Sequence, residues 1–322
     1  MLEVRSQISN FPLPPFTKGE LWPHRFAVLL ACATFPLLFI GGLVTSKGAG
    51  LAVPDWPTTF GYNMFLYPWS EMVGNILYEH SHRLFASFVG LLTIALAVSL
   101  WLTEKRAWLR WLGVTALLLV IGQGILGGLR VVLLQHTLAV IHACLAQAFF
   151  ALTVGLALFT SREWASEPTQ APITDNGRLC RLGAITTALI YLQIIFGAVL
   201  RHTGERLDAH LFVGGLVALH VILLILRVTK YHAGCLKLIR LASSLGILLL
   251  VQLLLGVGSY FAKFTTLLRL AMDMVVVLTT THLIVGALML GTSLALTLRA
   301  YRLSERVKPA MGPNALKEQL ST

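Results

Sequence analysis

Charge is scarce in this sequence. Only 12% of its 322 residues are charged, 56% are hydrophobic, and mean hydropathy is +0.77. A soluble domain carries roughly 25% charged residues, so a water-soluble globule is excluded and the chain reads as a polytopic membrane protein. Acid is scarcer than base, at 14 against 25 residues, which leaves a net charge of +11. In a soluble protein that excess would point to nucleic acid; here its placement decides. With the N-terminus inside, seven cationic residues fall outside (Lys47, Arg83, Arg130, Arg201, Arg206, Lys263 and Arg269) and the remaining 18 of 25 inside. That asymmetry is the positive-inside bias, so the basic excess reports topology and no nucleic-acid partner is expected. Cysteine is also rare. Cys32, Cys144, Cys180 and Cys235 lie in or beside apolar segments or on the inner side, and no structural disulfide is expected. No Walker loop, zinc-type cysteine pair or nucleotide fingerprint occurs. The first 24 residues hold Pro12, Pro14, Pro15 and Pro23 but no apolar core and little arginine. Neither a cleavable signal peptide nor a mitochondrial transit peptide is therefore expected.

What the chain does have is long apolar runs. They predict spans at 26–45, 79–102, 111–131, 134–160, 180–200, 208–228, 238–261 and 271–299, each near or above the roughly 20 residues a crossing needs. The expected fold is an all-α membrane protein of about eight helices, arranged as two related four-helix bundles. Its expected parts are an inner N-terminal segment (1–25), a first half (26–160), a polar linker (161–178), a second half (179–300) and an inner tail (301–322). The halves resemble each other: FIGGLVTSKGAGL (39–51) matches IFGAVLRHTGERL (195–207), and GQGILGG (122–128) matches VQLLLGVG (251–258). An even number of helices per half preserves orientation, so the repeat is parallel rather than inverted. The longest outer loop, 46–78, carries Pro54, Asp55, Trp56, Pro57, Tyr62, Tyr67, Pro68 and Trp69, aromatic residues suited to an interfacial cover.

Four of the ten histidines share one pattern, a small residue four positions later: His82 (Ala86), His142 (Ala146), His210 (Gly214) and His282 (Gly286). Each lies near the start of, or within, an apolar span. A small residue one turn below an imidazole leaves room for a flat macrocycle, and neutral imidazole suits iron. Two bis-histidine haem sites are therefore expected. Depth in the spans selects His210 over His220. The His82–His142 interval of 60 residues selects His220 instead, which stands 62 before His282. His136, His202 and His220 read as satisfied or interfacial histidines, and His24, His80 and His232 as solvent-facing. Thr279–Thr281 offer hydroxyls to His282. Glycines at 41, 42, 122, 124, 127, 128, 197, 256 and 258 indicate close helix packing or a thin wall beside a cofactor. Only the first half has an acidic cluster, Glu79-His80-Ser81-His82-Arg83, at the expected outer start of the second span. Glu79 and His82, three apart, share a helical face. The carboxylate can steer water or move a proton, and Arg83 can pair with a haem propionate.

Glu79-x-x-His82-Arg83, the segment Gly48-Ala-Gly-Leu-Ala-Val-Pro-Asp-Trp-Pro57 and Gly197-Ala-Val-Leu-Arg-His-Thr-Gly204 together resemble haem A synthase. The resemblance covers nearly the whole chain. It implies oxidation of a methyl group of haem O to the formyl group of haem A, the cofactor of terminal cytochrome oxidases. It assigns the substrate to the first half, with His82, His142 and Glu79 as catalytic residues, and a haem b to the second, with His210 and His282 as ligands. Many members carry a cysteine pair in the first outer loop, where this chain has Val53 and Thr59, so a thiol step in that loop is not available to it. The partners implied are haem O, the lipid bilayer, haem O synthase upstream and an electron acceptor; homo-oligomers are compatible. The location implied is the bacterial cytoplasmic membrane. Two other readings compete: a di-haem b, quinol-oxidising electron-transfer protein using the same four histidines, and a transporter without a cofactor.

Overall fold

The computed structural model describes residues 18–166, 175, 177–267 and 270–304. In chain order the helices are α1 (Lys18–Ser46), α2 (Gly74–Thr103), α3 (Ala107–Val132), α4 (His136–Phe159), the single turn α5 (Arg162–Ala165), α6 (Arg178–Thr203), α7 (Leu207–Tyr231), α8 (Leu236–Phe264) and α9 (Met272–Ser304). Among the described residues no strand forms; Thr59 and Tyr62 make one isolated bridge. All but α5 are long and apolar enough to cross a membrane, with mean hydropathy of 1.9 to 2.5 over their best windows. Large apolar side chains such as Leu118, Leu226, Ile247 and Leu254 are more than half exposed, an arrangement that lipid favours and water does not. The chain is an all-α, multi-span membrane protein.

Helix contacts run in two rings. α1 touches α2, α2 touches α3, α3 touches α4, and α4 returns to α1; α6, α7, α8 and α9 close the same way. The rings meet through α1 and α4 on one side and α6 and α9 on the other. Each has its own apolar core, one around Leu30, Leu96 and Leu156 and one around Leu224, Leu245 and Leu296. Leu38, Phe150, Ile284 and Ala287 form a third core between the rings. One end of the molecule carries the 47–73 segment together with the α3–α4, α6–α7 and α8–α9 turns; we call it the loop end.

Several boundaries differ from the sequence reading. α1 starts at Lys18, inside the segment assigned to the N-terminal tail, and α9 runs on to Ser304, because a helix continues beyond its apolar window wherever the backbone can stay hydrogen-bonded. α2 starts at Gly74, whose φ of +56° makes the turn into the helix. Glu79 therefore lies in the second turn rather than at the helix start. The rest of 1–25 and of 301–322, residues 167–174 and 176 of the linker, and Arg269 lie outside the described residues.

Candidate functional site

Each of the four patterned histidines lies within the first third of its helix, counted from the loop end. Each sets its ring edge against a glycine of the preceding helix. A Cβ built on Gly41 would lie 3.0 Å from His82 Cε1, and one on Gly127 3.3 Å from His142 Cε1. On Gly197 and Gly256 it would lie 3.2 Å from Cε1 of His210 and His282. At such distances any larger residue displaces the imidazole. The other glycines divide differently. Gly42 faces the Thr280 methyl, Gly258 meets Leu278 at an ordinary 3.5 Å, Gly128 faces the Trp56 ring, and Gly122 and Gly124 have nothing within 4 Å.

A second layer escaped the sequence reading: a glutamine one turn before the glycine. Gln193 and Gln252 place Nε2 3.3 Å from Nε2 of His210 and His282. Gln123, in the amide orientation that satisfies both its atoms, donates to His142 Nδ1 at 3.0 Å. The small residue below the histidine makes the room for it, since Gly214 and Gly286 face the Gln193 and Gln252 amides. The motif Gln-x-x-x-Gly on α3, α6 and α8 was the available signal. α1 departs from it, with Leu37 where the other three helices have glutamine. Thr279 and Thr280 do not serve His282: both hydroxyls meet Ser46 Oγ, at 3.3 and 2.9 Å.

The second ring brings two histidines together. The His210 and His282 rings are 6.3 Å apart between centroids and inclined at 68°. Metal–imidazole bonds of about 2 Å on either side of one iron put ring centroids roughly 6 Å apart. Nδ1 of His82, His210 and His282 is buried without a hydrogen-bond partner, yet all three rings remain partly accessible. Buried polar atoms are rarely left so. Among the described residues no group of three or more His, Cys, Asp or Glu could hold a bare metal ion. Two imidazoles suffice for haem, whose macrocycle supplies the equatorial nitrogens, so the residues present fit that group. His220 instead places Nδ1 2.9 Å from its own helix's Leu216 carbonyl.

The first ring differs in its cover. Glu79, 4% exposed, accepts from the Val53 amide at Oε2 (2.9 Å) and from Arg83 at Oε1 (3.0 Å). Arg83 donates to the carbonyls of Val53, Asp55 and Thr58 as well, so its two terminal nitrogens face the loop. From α3, Arg130 donates to the Gly50 carbonyl, and Trp56 fills the space that a side chain at 128 would need. Burial raises the Asp55 carboxyl, but hydrogen bonds from the Thr58 hydroxyl and the Gly61 and Phe60 amides outweigh it and hold it down at about 2. Val53 and Thr59 are fully buried. The four cysteines of this chain are free. His80 is a correction to the sequence reading: it is 1% exposed, with Nδ1 3.1 Å from the Thr59 hydroxyl and its ring 5.1 Å from that of Tyr67. The loop folds down over a side chain that helix position alone would leave facing solvent. His24 and His232 are also partly covered, against Thr160 and Asp175, whereas His136 is exposed and His202 partly so.

Comparison with known proteins places this chain in a family. The chain is 31% identical to the heme A synthase of Shouchella clausii over 188 residues, which is 57% of this chain and 60% of that protein. It is 28% identical to those of Alkalihalophilus pseudofirmus (56% of this chain, 60% of the relative) and Bacillus pumilus (58% and 63%). The matched stretch thus spans about 60% of the curated relatives' length. A family model described as cytochrome oxidase assembly protein matches residues 24–212, the first ring from His24 of α1 onwards and α6 through the start of α7 with His210. The chain belongs to the cytochrome oxidase assembly protein family.

Proposed function

We propose that this protein is a haem A synthase, an oxidoreductase that converts the methyl group of haem O to the formyl group of haem A through a hydroxymethyl intermediate, for cytochrome oxidase assembly. The observation that carries the reading is a repeated glycine-backed histidine with, among the described residues, a buried carboxylate three residues before only one of its copies. Relatives named heme A synthase support it. In this reading the first half (26–160) seats the substrate between His82 and His142, and the second (179–300) holds haem b through His210 and His282. Haem b, when bound, supplies a reversible one-electron store beside the substrate half.

The chain's own residues then have separate tasks. His82 and His142 fix the substrate macrocycle, and the glycines behind them fix the imidazoles. Glu79 uses one lone pair on each oxygen for Val53 and Arg83, and a carboxylate has further acceptor directions. In this reading it orients a water for attack on the methyl carbon and takes a proton as the alcohol, then the hydrated aldehyde, forms. Arg83 pairs with Glu79 and holds the loop against α2. The loop shields the site from bulk water, and the electrons leave to an external acceptor. We assign the protein to the bacterial cytoplasmic membrane, with both termini inside and the loop end outward. Haem O synthase is the expected upstream partner.

The test is Glu79→Gln, with haems extracted by acid and separated by chromatography. We expect haem O or its alcohol to accumulate while haem b is retained. Normal haem A output would sink the assignment of Glu79, and haem b alone at two per wild-type chain would replace the synthase with an electron-transfer protein.

A further inference from the structure

Where α1, α6, α8 and α9 converge at the loop end lies a cleft of about 260 Å³ whose lining includes Thr45, Ser46, Arg201, Lys263, Val276 and Thr279. Two cations facing one partly apolar space repel each other and lose hydration. Their protein partners leave that charge standing. Arg201 donates only to neutral acceptors: the Gly42 carbonyl (2.7 Å), Ser46 Oγ (2.5 Å) and the Thr279 carbonyl (3.3 Å). Its Nε is buried without a partner. Lys263 makes no hydrogen bond or ion pair among the described residues. Asp273 is already paired with Lys47, and its side chain is 84% exposed. The first ring contrasts with this, because Arg83 ends on Glu79 and loop carbonyls, and Arg130 donates to Gly50.

The cleft also stands in register with the second histidine pair. Arg201 is one turn beyond Gly197, the glycine behind His210, and Lys263 two turns beyond Gly256, the glycine behind His282. Thr279 is nearly one turn before His282 on the same helix. Helix geometry therefore sets the cations about 5–11 Å towards the loop end from the imidazoles along their helices. We propose that this cleft is an oxyanion seat for the carboxylate side chains of the macrocycle held by His210 and His282. A guanidinium fork, an ammonium and hydroxyl donors are the groups that recognise a carboxylate, and the ligand's charge offsets the repulsion between the two cations. The inference rests on the haem b reading above.

Full-length protein in a His82→Ala, His142→Ala background, which leaves one pair to titrate, is stripped of haem. It is then titrated with ferric protohaem and with its dimethyl ester, following the Soret band. The free acid should bind about tenfold or more tightly than the neutral ester. Lys263→Gln, which removes no internal bond, should shrink that ratio severalfold. Adding Arg201→Gln should bring it near one, with ester binding unchanged as the sign of an intact fold. Arg201→Lys should restore part of the preference. Equal binding of acid and ester by the parent, or a preference that survives Lys263→Gln and both Arg201 variants, overturns the seat alone. Binding of neither form by the folded parent overturns the haem b reading and the seat with it. In phosphatidylcholine nanodiscs the preference should be the same with and without phosphatidylglycerol. A preference abolished by phosphatidylglycerol would assign the cleft to a lipid headgroup and overturn the proposal.

Discussion

Gly256 and Gly258 lie two residues apart on α8, yet only the first supports an imidazole. Branching at 256 forces the His282 ring aside. Overpacking of this kind costs about 1–3 kcal/mol, roughly a ten- to hundredfold loss of affinity for whatever the ring ligates. Gly256→Val should therefore strip haem b from the second half while Gly258→Ala leaves it in place, as absorbance at the b-type band will report. The same spectrum separates His210 from His220. His210→Ala should abolish the b-type signal, and His220→Ala should keep it, since His220 is occupied with the Leu216 carbonyl. At this scale the sequence is half legible. The His-x-x-x-small pattern picks out the four rings that meet glycines. It says nothing of which glycine on the neighbouring helix meets which ring, because that depends on how two helices are rotated about each other. The glutamines stayed hidden for the same reason, being unremarkable polar residues until the fold sets them beside an imidazole.

The 47–73 segment is the element most specific to the first half. Arg83, Glu79 and His80 of α2 and Arg130 of α3 bond to it, Trp56 packs against Gly128 of α3, and the Asp55 turn braces it from within. Gly128→Ala would collide with the Trp56 ring and detach one corner. Backbone amide exchange across 49–62 should rise severalfold, with α2 and α3 amides unchanged; equal exchange would show that the ring is not a fastening. Existence and number of helices were readable from apolar runs, because in lipid a backbone has few alternatives. Helix starts were not, since Gly74–Tyr78 lies outside the strongest apolar window. Nor was the docking of the loop. Aromatic residues and prolines mark it as ordered, but its attachments are to residues distant in sequence, so His80 looked exposed.

The whole molecule returns each ring of four helices to the side it started from. Its orientation is a proposal that intact cells can check. Leu66→Cys, on the 76% exposed loop side chain, should react with an impermeant thiol reagent, and Lys105→Cys, between α2 and α3, only after permeabilisation. The reverse pattern would invert the topology. The duplication was visible in sequence and already set Gly41 against Gly197 and Gly127 against Gly256, the glycines that the structure places behind histidines. Its meaning lies in where the copies differ. Three of the four imidazoles lie against a glutamine amide; His82 has Leu37 at that step of the preceding helix and no hydrogen bond to its ring among the described residues. An imidazole steered by packing alone turns out of line more readily than one tethered by an amide. On the proposed reading, residence times in the two halves then diverge: the second keeps its macrocycle for the life of the protein, and the first, hinged on an untethered ligand, can surrender its macrocycle once it is finished.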